Sequence, residues 1–349
     1  MLKKRILVAP LNWGLGHASR CIPIINELLL NNFEVIIASD GAALELLKLE
    51  FPKLECYDLP SYNIRYSAKR SFFTPYLLLQ TPKILAVIAK EKKATEKLVS
   101  TLNLSGIISD NRWGVRSKNI PSVIITHQLK VLSRQTTFIS SKIQQYLISK
   151  FTECWVPDNE EEPKLSGVMG HIEHAPFPIK YIGALSRFSK ELKTHKYKYG
   201  IVLSGPEPQR SILEKKLLQE FQNIEFPVVF IKGIIEAEIT HSRTGNLTIY
   251  NYLFGQELQS TLNQCEYIIC RSGYSSIMDI ATLEKKAFLL PTPGQPEQEY
   301  LASYLLERGM ILSAAQENFN LELLEDLGKT KGLQTDLSTN RLSAVFALF

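Results

Sequence analysis

Twice along this chain an apolar, strand-like run breaks on a glycine-containing loop, gives way to a segment of helical period, and begins an alternation that then repeats. The first series opens with Lys3 to Pro10, the loop Leu11-Asn-Trp-Gly14-Leu-Gly16-His17 and a helix predicted from about Ser19 to Asn31. Strands follow at Phe33–Ser39, Cys56–Leu59, Gly106–Ser109 and Ser122–Thr126, with helices at Ala42–Leu49 and about Lys83–Leu102. Cys154–Val156 and Tyr181–Gly183 read as its last strands. The second series takes strands at Tyr199–Ser204, Pro227–Lys232, Leu247–Tyr250, Tyr267–Cys270, Ala287–Pro291 and Met310–Ser313, with helices at Arg210–Gln222, Gly255–Asn263 and Glu299–Arg308. Short, continuous apolar strands are those of a parallel sheet covered on both faces. Two such series in tandem predict an α/β fold of two Rossmann-like, doubly wound domains facing a cleft.

A chain of 349 residues with 45% hydrophobic content can bury two cores. Ser186 to Lys198 is basic, polar and without apolar period, so the expected division is a first domain at 1–185, a linker at 186–198 and a second domain at 199–325. The tail 326–349 is expected to return to the first domain. Five cysteines, scattered and without CxxC spacing, argue against a disulfide framework or a zinc site and fit a reducing cytoplasm. The apolar part of the N-terminus is too short for a signal peptide, and no run reaches the roughly 18–20 residues of a membrane span. The formal net charge of +5 is spread along the chain, so it lends little to nucleic-acid binding.

The densest chemistry lies at Cys270-Arg271-Ser272-Gly273-Tyr274-Ser275-Ser276-Ile277-Met278-Asp279, a strand ending, a glycine turn and a helix start. Ile277, Ile280 and Ala281 recur at the spacing of a core face, and Ser272, Ser275, Ser276 and Asp279 fall on another. Spare peptide N–H donors, hydroxyls and a carboxylate two turns in suit a phosphate at the mouth and a diol deeper along the helix. These are the demands of a nucleotide.

This segment resembles the donor-binding segment of the MurG-like glycosyltransferases of the GT-B fold, with a family 28 type C-terminal domain, whose acid binds the ribose of UDP. Leu289-Leu-Pro291-Thr-Pro-Gly-Gln-Pro-Glu-Gln298-Glu299-Tyr300 is similar to the second motif of that family, a strand, a proline loop and a glutamine at a helix head. The resemblance implies a donor site at Arg271, Ser272, Gly273, Ser275 and Asp279, with Gln298 and Glu299 toward the sugar and phosphates. It also places Phe254 and Gly255 at the nucleobase, Arg187 at the diphosphate, and Ser204, Gly205 and Arg210 in the diphosphate loop. Pro206 and Pro208 depart from the family there, because proline has no N–H to donate. Arg187 reads equally as a solvated linker cation.

Gly14-Leu-Gly16-His17-Ala-Ser19 also matches GxGxxG with serine in the third place, and Asp40 stands near the expected ~20 residues on, which would suggest NAD. GT-B glycosyltransferases carry a glycine loop here that ends in Gly-His, and the resemblance implies that Gly14 and Gly16 lie on the acceptor side; His127, also past a strand, reads either as lining that side or as bonding a carbonyl. His17 then becomes a candidate general base and Asp110 its partner, since inverting transfer must take a proton from the acceptor hydroxyl. The plainer reading is that His17 bonds loop backbone and Asp110 makes an Asx turn. His171 and His174 flank a loop dipeptide without the further ligands that a metal needs.

The resemblance implies inverting transfer of a sugar from a nucleoside diphosphate, UDP above all, to a hydroxyl acceptor, either a lipid-linked or a cell-envelope glycan. It implies no cofactor and no metal, the leaving diphosphate being stabilised by helix dipoles and cations. A nucleotide-sugar epimerase of the same fold, an NAD-dependent oxidoreductase and a non-catalytic binding subunit stand as alternatives. Lys69 and Arg70 beside Phe72 to Leu79 suit either peripheral contact with the inner face of a membrane or a core helix with a basic lead-in.

Overall fold

The computed structural model describes residues 3–62, 73–132, 136–234, 236–335 and 341–349, and within 73–81 and at 341 the backbone alone. Two units result, Met1–Arg187 with Leu337–Phe349, and Phe188–Asp336. In the first, seven parallel strands are β1 (Arg5–Pro10), β2 (Glu34–Ser39), β3 (Glu55–Asp58), β4 (Gly106–Asp110), β5 (Ser122–Ile125), β6 (Glu153–Val156) and β7 (Ile179–Tyr181). Their order is β3-β2-β1-β4-β5-β6-β7, so the winding reverses between β1 and β4. Ligands of such sheets bind at that reversal, beyond the carboxyl ends of the strands. The helices are α1 (Leu15–Leu30), α2 (Gly41–Glu50), α3 (Phe73–Leu102) and α4 (Thr137–Ile148).

The second unit repeats the plan. Strands β8 (Tyr197–Val202), β9 (Val228–Ile231), β10 (His241–Thr244), β11 (Leu247–Tyr250), β12 (Cys265–Cys270), β13 (Lys286–Leu289) and β14 (Leu312–Ser313) lie in the order β10-β11-β9-β8-β12-β13-β14. All neighbours pair parallel except β10 with β11. The reversal falls between β8 and β12. Helices α5 (Gln209–Glu220), α6 (Gly255–Asn263), α7 (Tyr274–Thr282) and α8 (Pro296–Glu307) follow β8, β11, β12 and β13. Ile201, Phe230, Ile269 and Phe288, one from each central strand, are buried in a shared core.

The chain then leaves the second unit, and α9 (Arg341–Val345) and the residues after it belong to the first. Phe346 and Phe349 are buried, each with its ring centroid 6.0 Å from that of Trp155 on β6.

The structure corrects several expected boundaries. Helix α1 begins at Leu15 rather than Ser19, because Gly14, at φ +77°, turns the chain straight from the loop into the helix. Gly16 and His17 therefore stand in its first turn. Helix α3 begins at Phe73 and carries Pro82 inside it, where the sequence reading starts the helix after that proline. Helix α4 is absent from the sequence reading, since its only buried residues are Ser141 and Ile148 and no apolar stripe faces a core. Strand β10 is likewise missing, its residues being exposed and held by a two-residue turn at Gly245 and Asn246. The segment expected as a linker is bound to α6. Ser189 N donates to Gln259 Oε1 at 3.0 Å, Glu191 N to Asn263 Oδ1 at 2.8 Å and Lys193 Nζ to Ser260 Oγ at 2.9 Å.

Candidate active site

In the first unit the reversal brings the start of α1 against the end of β4. Asp110 is the last residue of β4, not a loop residue, and its side chain is fully buried. His17 Nδ1 lies 2.9 Å from Asp110 Oδ1. Arg20, one turn along α1, donates from Nε to Asp110 Oδ2 at 2.5 Å and from Nη2 to Oδ1. Burial opposes ionisation of Asp110, but the charges of Arg20 and His17 and their hydrogen bonds outweigh it and hold the carboxyl at about 2. For His17, burial is the largest influence and lowers the pKa; Asp110 raises it, while Arg20 and His127 lower it further. The net direction is down. His17 is thus neutral at physiological pH, with a fixed anion behind it.

His127, just past β5, is buried and close enough to bias His17. Gly14 has open space on its Cβ side, and Trp13 and Leu15 around it are exposed. The carboxylate of Asp40, which an NAD site would need for ribose, is occupied: Arg112 Nη1 donates to Oδ1 at 2.7 Å and Asn12 Nδ2 to Oδ2 at 3.2 Å. His171 Nε2 lies 3.1 Å from Asp158 Oδ2, and its ring stacks on Tyr181. Among the described residues, no cluster of three His, Cys, Asp or Glu side chains suits a metal.

In the second unit, the loops after β8, β12 and β13 meet at the reversal. Arg271, expected to touch a donor, is 1% exposed and is turned into the fold. Its Nη2 donates to Gln209 O at 2.8 Å, and its Nη1 to Leu290 O and Pro291 O, both at 3.2 Å. Burial without a carboxylate partner pushes its pKa down to about 10. Arg271 therefore fastens the starts of α5 and of the proline loop rather than facing solvent. Ser272 is buried as well, its Oγ donating to Gln298 O at 2.8 Å, so that the starts of α7 and α8 are tied together.

Gln298 and Glu299, expected toward the sugar, lie in the first turn of α8 and hold the proline loop. Thr292 N donates to Gln298 Oε1 at 2.9 Å and Gly294 N to Glu299 Oε1 at 2.8 Å. Gly273 caps α7 with open space beside its Cα, and Ser275 and Asp279 behind it are half-buried. The mouth of α7 is thus open beside Gly273.

The loop at 204–210 is more heavily bonded. Ser204 and Gly205 are exposed, but Arg210 is bound by Glu207, at 2.7 Å from its Nε, and by Glu214, at 2.6 Å from its Nη1. Glu207 also accepts from Ser211 N at 3.2 Å. A carboxylate already sits where a diphosphate was expected, and it would repel one. Phe254 is exposed at the start of α6, its ring stacked on that of Tyr252 at 6.0 Å. Arg187 is half-buried at the end of the first unit.

Residues 207–339 match the glycosyltransferase family 28 C-terminal domain. The UDP-N-acetylglucosamine--N-acetylmuramyl-(pentapeptide) pyrophosphoryl-undecaprenol N-acetylglucosamine transferase of Histophilus somni is 24% identical over 98% of this chain and 97% of its own. MurG of Acinetobacter baumannii superposes with a TM-score of 0.56 at 14% identity, covering 99% of both chains. By its family 28 type C-terminal domain and these likenesses the chain is a MurG-like glycosyltransferase with the GT-B fold. The glycotransferase of kitacinnamycin has the same fold, with a TM-score of 0.67 at 13% identity over 100% of this chain and 95% of that one.

Two residues of this MurG-like chain escape a reading by sequence alone. Arg20 is visible only once α1 is started at Leu15, which puts it three residues from His17 on one helix face. Arg112 carries no motif at all. The Lys69–Leu79 segment, read either as a membrane contact or as a core helix, lies outside the residues whose side chains the structure describes.

Proposed function

We propose that this glycosyltransferase transfers a sugar from a nucleoside diphosphate donor, UDP-linked, to a hydroxyl acceptor with inversion at the anomeric carbon. The observation that carries the reading is the 2.9 Å contact of His17 with buried, ionised Asp110 at the end of β4. A carboxylate only accepts, so the proton of that contact belongs to Nδ1, and Nε2 keeps the lone pair that takes the acceptor's proton. The acceptor oxygen forms the new bond to the anomeric carbon as the bond to the diphosphate breaks. His17 and Asp110 act as base and orienter, while His127, Gly14 and Gly16 line the acceptor side.

In the other unit, Gly273 and Ser275 offer peptide N–H and hydroxyl donors to the diphosphate, and Asp279 accepts from the ribose diol. The positive end of α7 replaces a metal in meeting the charge of the leaving group. Arg271 and Ser272 hold the helix starts in place, and Gln298 and Glu299 hold the proline loop. Phe254, exposed at the start of α6, offers a face to the base. The relatives' names support UDP as carrier and a lipid-linked acceptor.

The test is a thermal-shift panel with UDP, UDP-N-acetylglucosamine, UDP-glucose, TDP and NAD, repeated on Asp279→Ala. A ligand at ~100 times its dissociation constant adds about 2.7 kcal/mol. Uridine nucleotides should stabilise the protein and lose that effect in the variant. A shift with NAD alone, or an unchanged UDP shift in Asp279→Ala, would overturn the donor site. Retention of the anomeric configuration in the product would overturn inversion, and loss of turnover in EDTA would overturn metal independence.

A further inference from the structure

Asp110 is held by more than the histidine it serves. Arg20 is 4% exposed and lays two donors on the carboxylate, Nε on Oδ2 and Nη2 on Oδ1. Its Nη2 also stands 2.8 Å from His17 Nδ1. With Nδ1 protonated toward Asp110, that last approach sets one donor against another and is repulsive. The guanidinium balances the carboxylate's charge before His17 takes any part of it.

We infer that Arg20 is a positioning residue of this site: its two-pronged hold on Asp110 fixes the carboxylate under His17 Nδ1, and its charge beside the ring keeps Nε2 bare for the acceptor's proton. The inference rests on the proposed role of His17 as base. Without Arg20 the Asp110 charge would fall wholly on the imidazole, which would then bind a proton more readily and be blocked as a base over a wider range of pH. The other groups facing the pair do not replace it. His127, past β5, acts on His17 in the same direction as Arg20. Cys21, with Sγ 3.8 Å from Asp110 Oδ2, is held protonated, its thiol pKa raised by burial foremost.

The experiment is an NMR titration of the His17 ring in the full chain, assigned among the six histidines with His17→Gln. It is paired with kcat and KM for release of nucleoside diphosphate from UDP-sugar. In Arg20→Gln the His17 midpoint should rise by about one pH unit, and the acid limb of kcat/KM should move with it. In Arg20→Lys, which keeps the charge but loses the fork, the midpoint should stay near wild type while kcat falls about tenfold at unchanged donor KM. An unmoved midpoint in Arg20→Gln overturns the inference. Should that variant not fold, wild-type kcat in Arg20→Lys overturns it equally. The base reading fails separately, through turnover retained in His17→Gln, and that result leaves the titration shift intact.

Discussion

The guanidinium of Arg112 lies 2.7 Å from the Oδ1 of Asp40, although Arg112 follows β4 and Asp40 follows β2. The same guanidinium donates to Glu91 Oε1 at 2.7 Å, and Tyr62 OH donates to the other oxygen of Glu91 at 2.6 Å. Arg112 and Glu91 are fully buried. The acid that a dinucleotide site would use to hold ribose is here part of a buried ionic network with Arg112 and Asn12.

Removing one member of such a network leaves charge buried and unpaired. Arg112→Leu should therefore destabilise the protein by about 3–5 kcal/mol, read from denaturant unfolding. A loss below about 1 kcal/mol would mean that solvent reaches Glu91 and Asp40.

Acid should weaken the first unit in two windows. Asp110 titrates at about 2 in the folded chain and near ~4 in an unfolded one, so the unfolded state binds the proton first as pH falls. Its contribution is complete above ~4, worth ~2 kcal/mol, and is lost as pH falls toward ~2. The His17 pKa is also depressed, by burial foremost, so stability is already falling below its ordinary value of ~6.5. Unfolding free energies measured from pH 7 down to 3 should fall in wild type and fall less in Asp110→Asn below pH ~4. Parallel curves for the two proteins would contradict the assignment.

What the sequence made legible follows from how local each signal is. The apolar runs of β1, β4, β8 and β12 and the glycine turns after them are local, and they locate both reversals and the residues beside them. His17 and Asp110 are readable as neighbours because parallel strands deliver their carboxyl ends to one edge. Their contact with Arg20 becomes legible only when the helix starts at Leu15, ahead of the Ser19 that the sequence pattern suggests. The resemblance marks Arg271, Gln298 and Glu299 as ligand contacts, and their side chains instead bond backbone that is distant in sequence or within the proline loop. Such bonds depend on where a neighbouring loop happens to lie, which no spacing encodes. Helix α4 has no inward apolar stripe and so gave no periodic signal.

The end of the chain should matter to the first sheet. A Cβ placed on Gly106, at the start of β4, would lie 2.2 Å from Cδ1 of Phe349. Phe349→Ala should cost about 3 kcal/mol of stability, and Gly106→Ala should be destabilising because the ring must move. In the double variant the space vacated by the ring accepts the new methyl, so the combined loss should be smaller than the sum by more than about 0.5 kcal/mol. Strict additivity in denaturant unfolding would show that the two residues do not meet.

Helix α4 presents Phe138, Ile139, Ile143 and Tyr146 to solvent at 74%, 62%, 56% and 61% exposure. Ile139, Ile143 and Tyr146 follow one another at i, i+4 and i+7 on a single stripe. Lys142 Nζ stands 5.9 Å from the Phe138 ring and Lys150 Nζ 4.0 Å from the Tyr146 ring, so cations border the apolar side chains. Apolar side chains rimmed by lysines match the boundary of an anionic bilayer, where rings and branched chains enter the acyl region and each lysine adds about 1 kcal/mol. Among the described residues no helix is long and apolar enough to cross a membrane, so contact by this helix would be peripheral. The full chain should co-sediment with phosphatidylglycerol vesicles and less with phosphatidylcholine vesicles. Ile139→Ser with Ile143→Ser should abolish binding at a stability cost within about 0.5 kcal/mol, because both side chains are already in water. Lys142→Glu with Lys150→Glu should remove the preference for anionic lipid. Equal binding by wild type and the serine variant would move any membrane contact elsewhere on the chain, because α4 would then contribute nothing that the bilayer can sense.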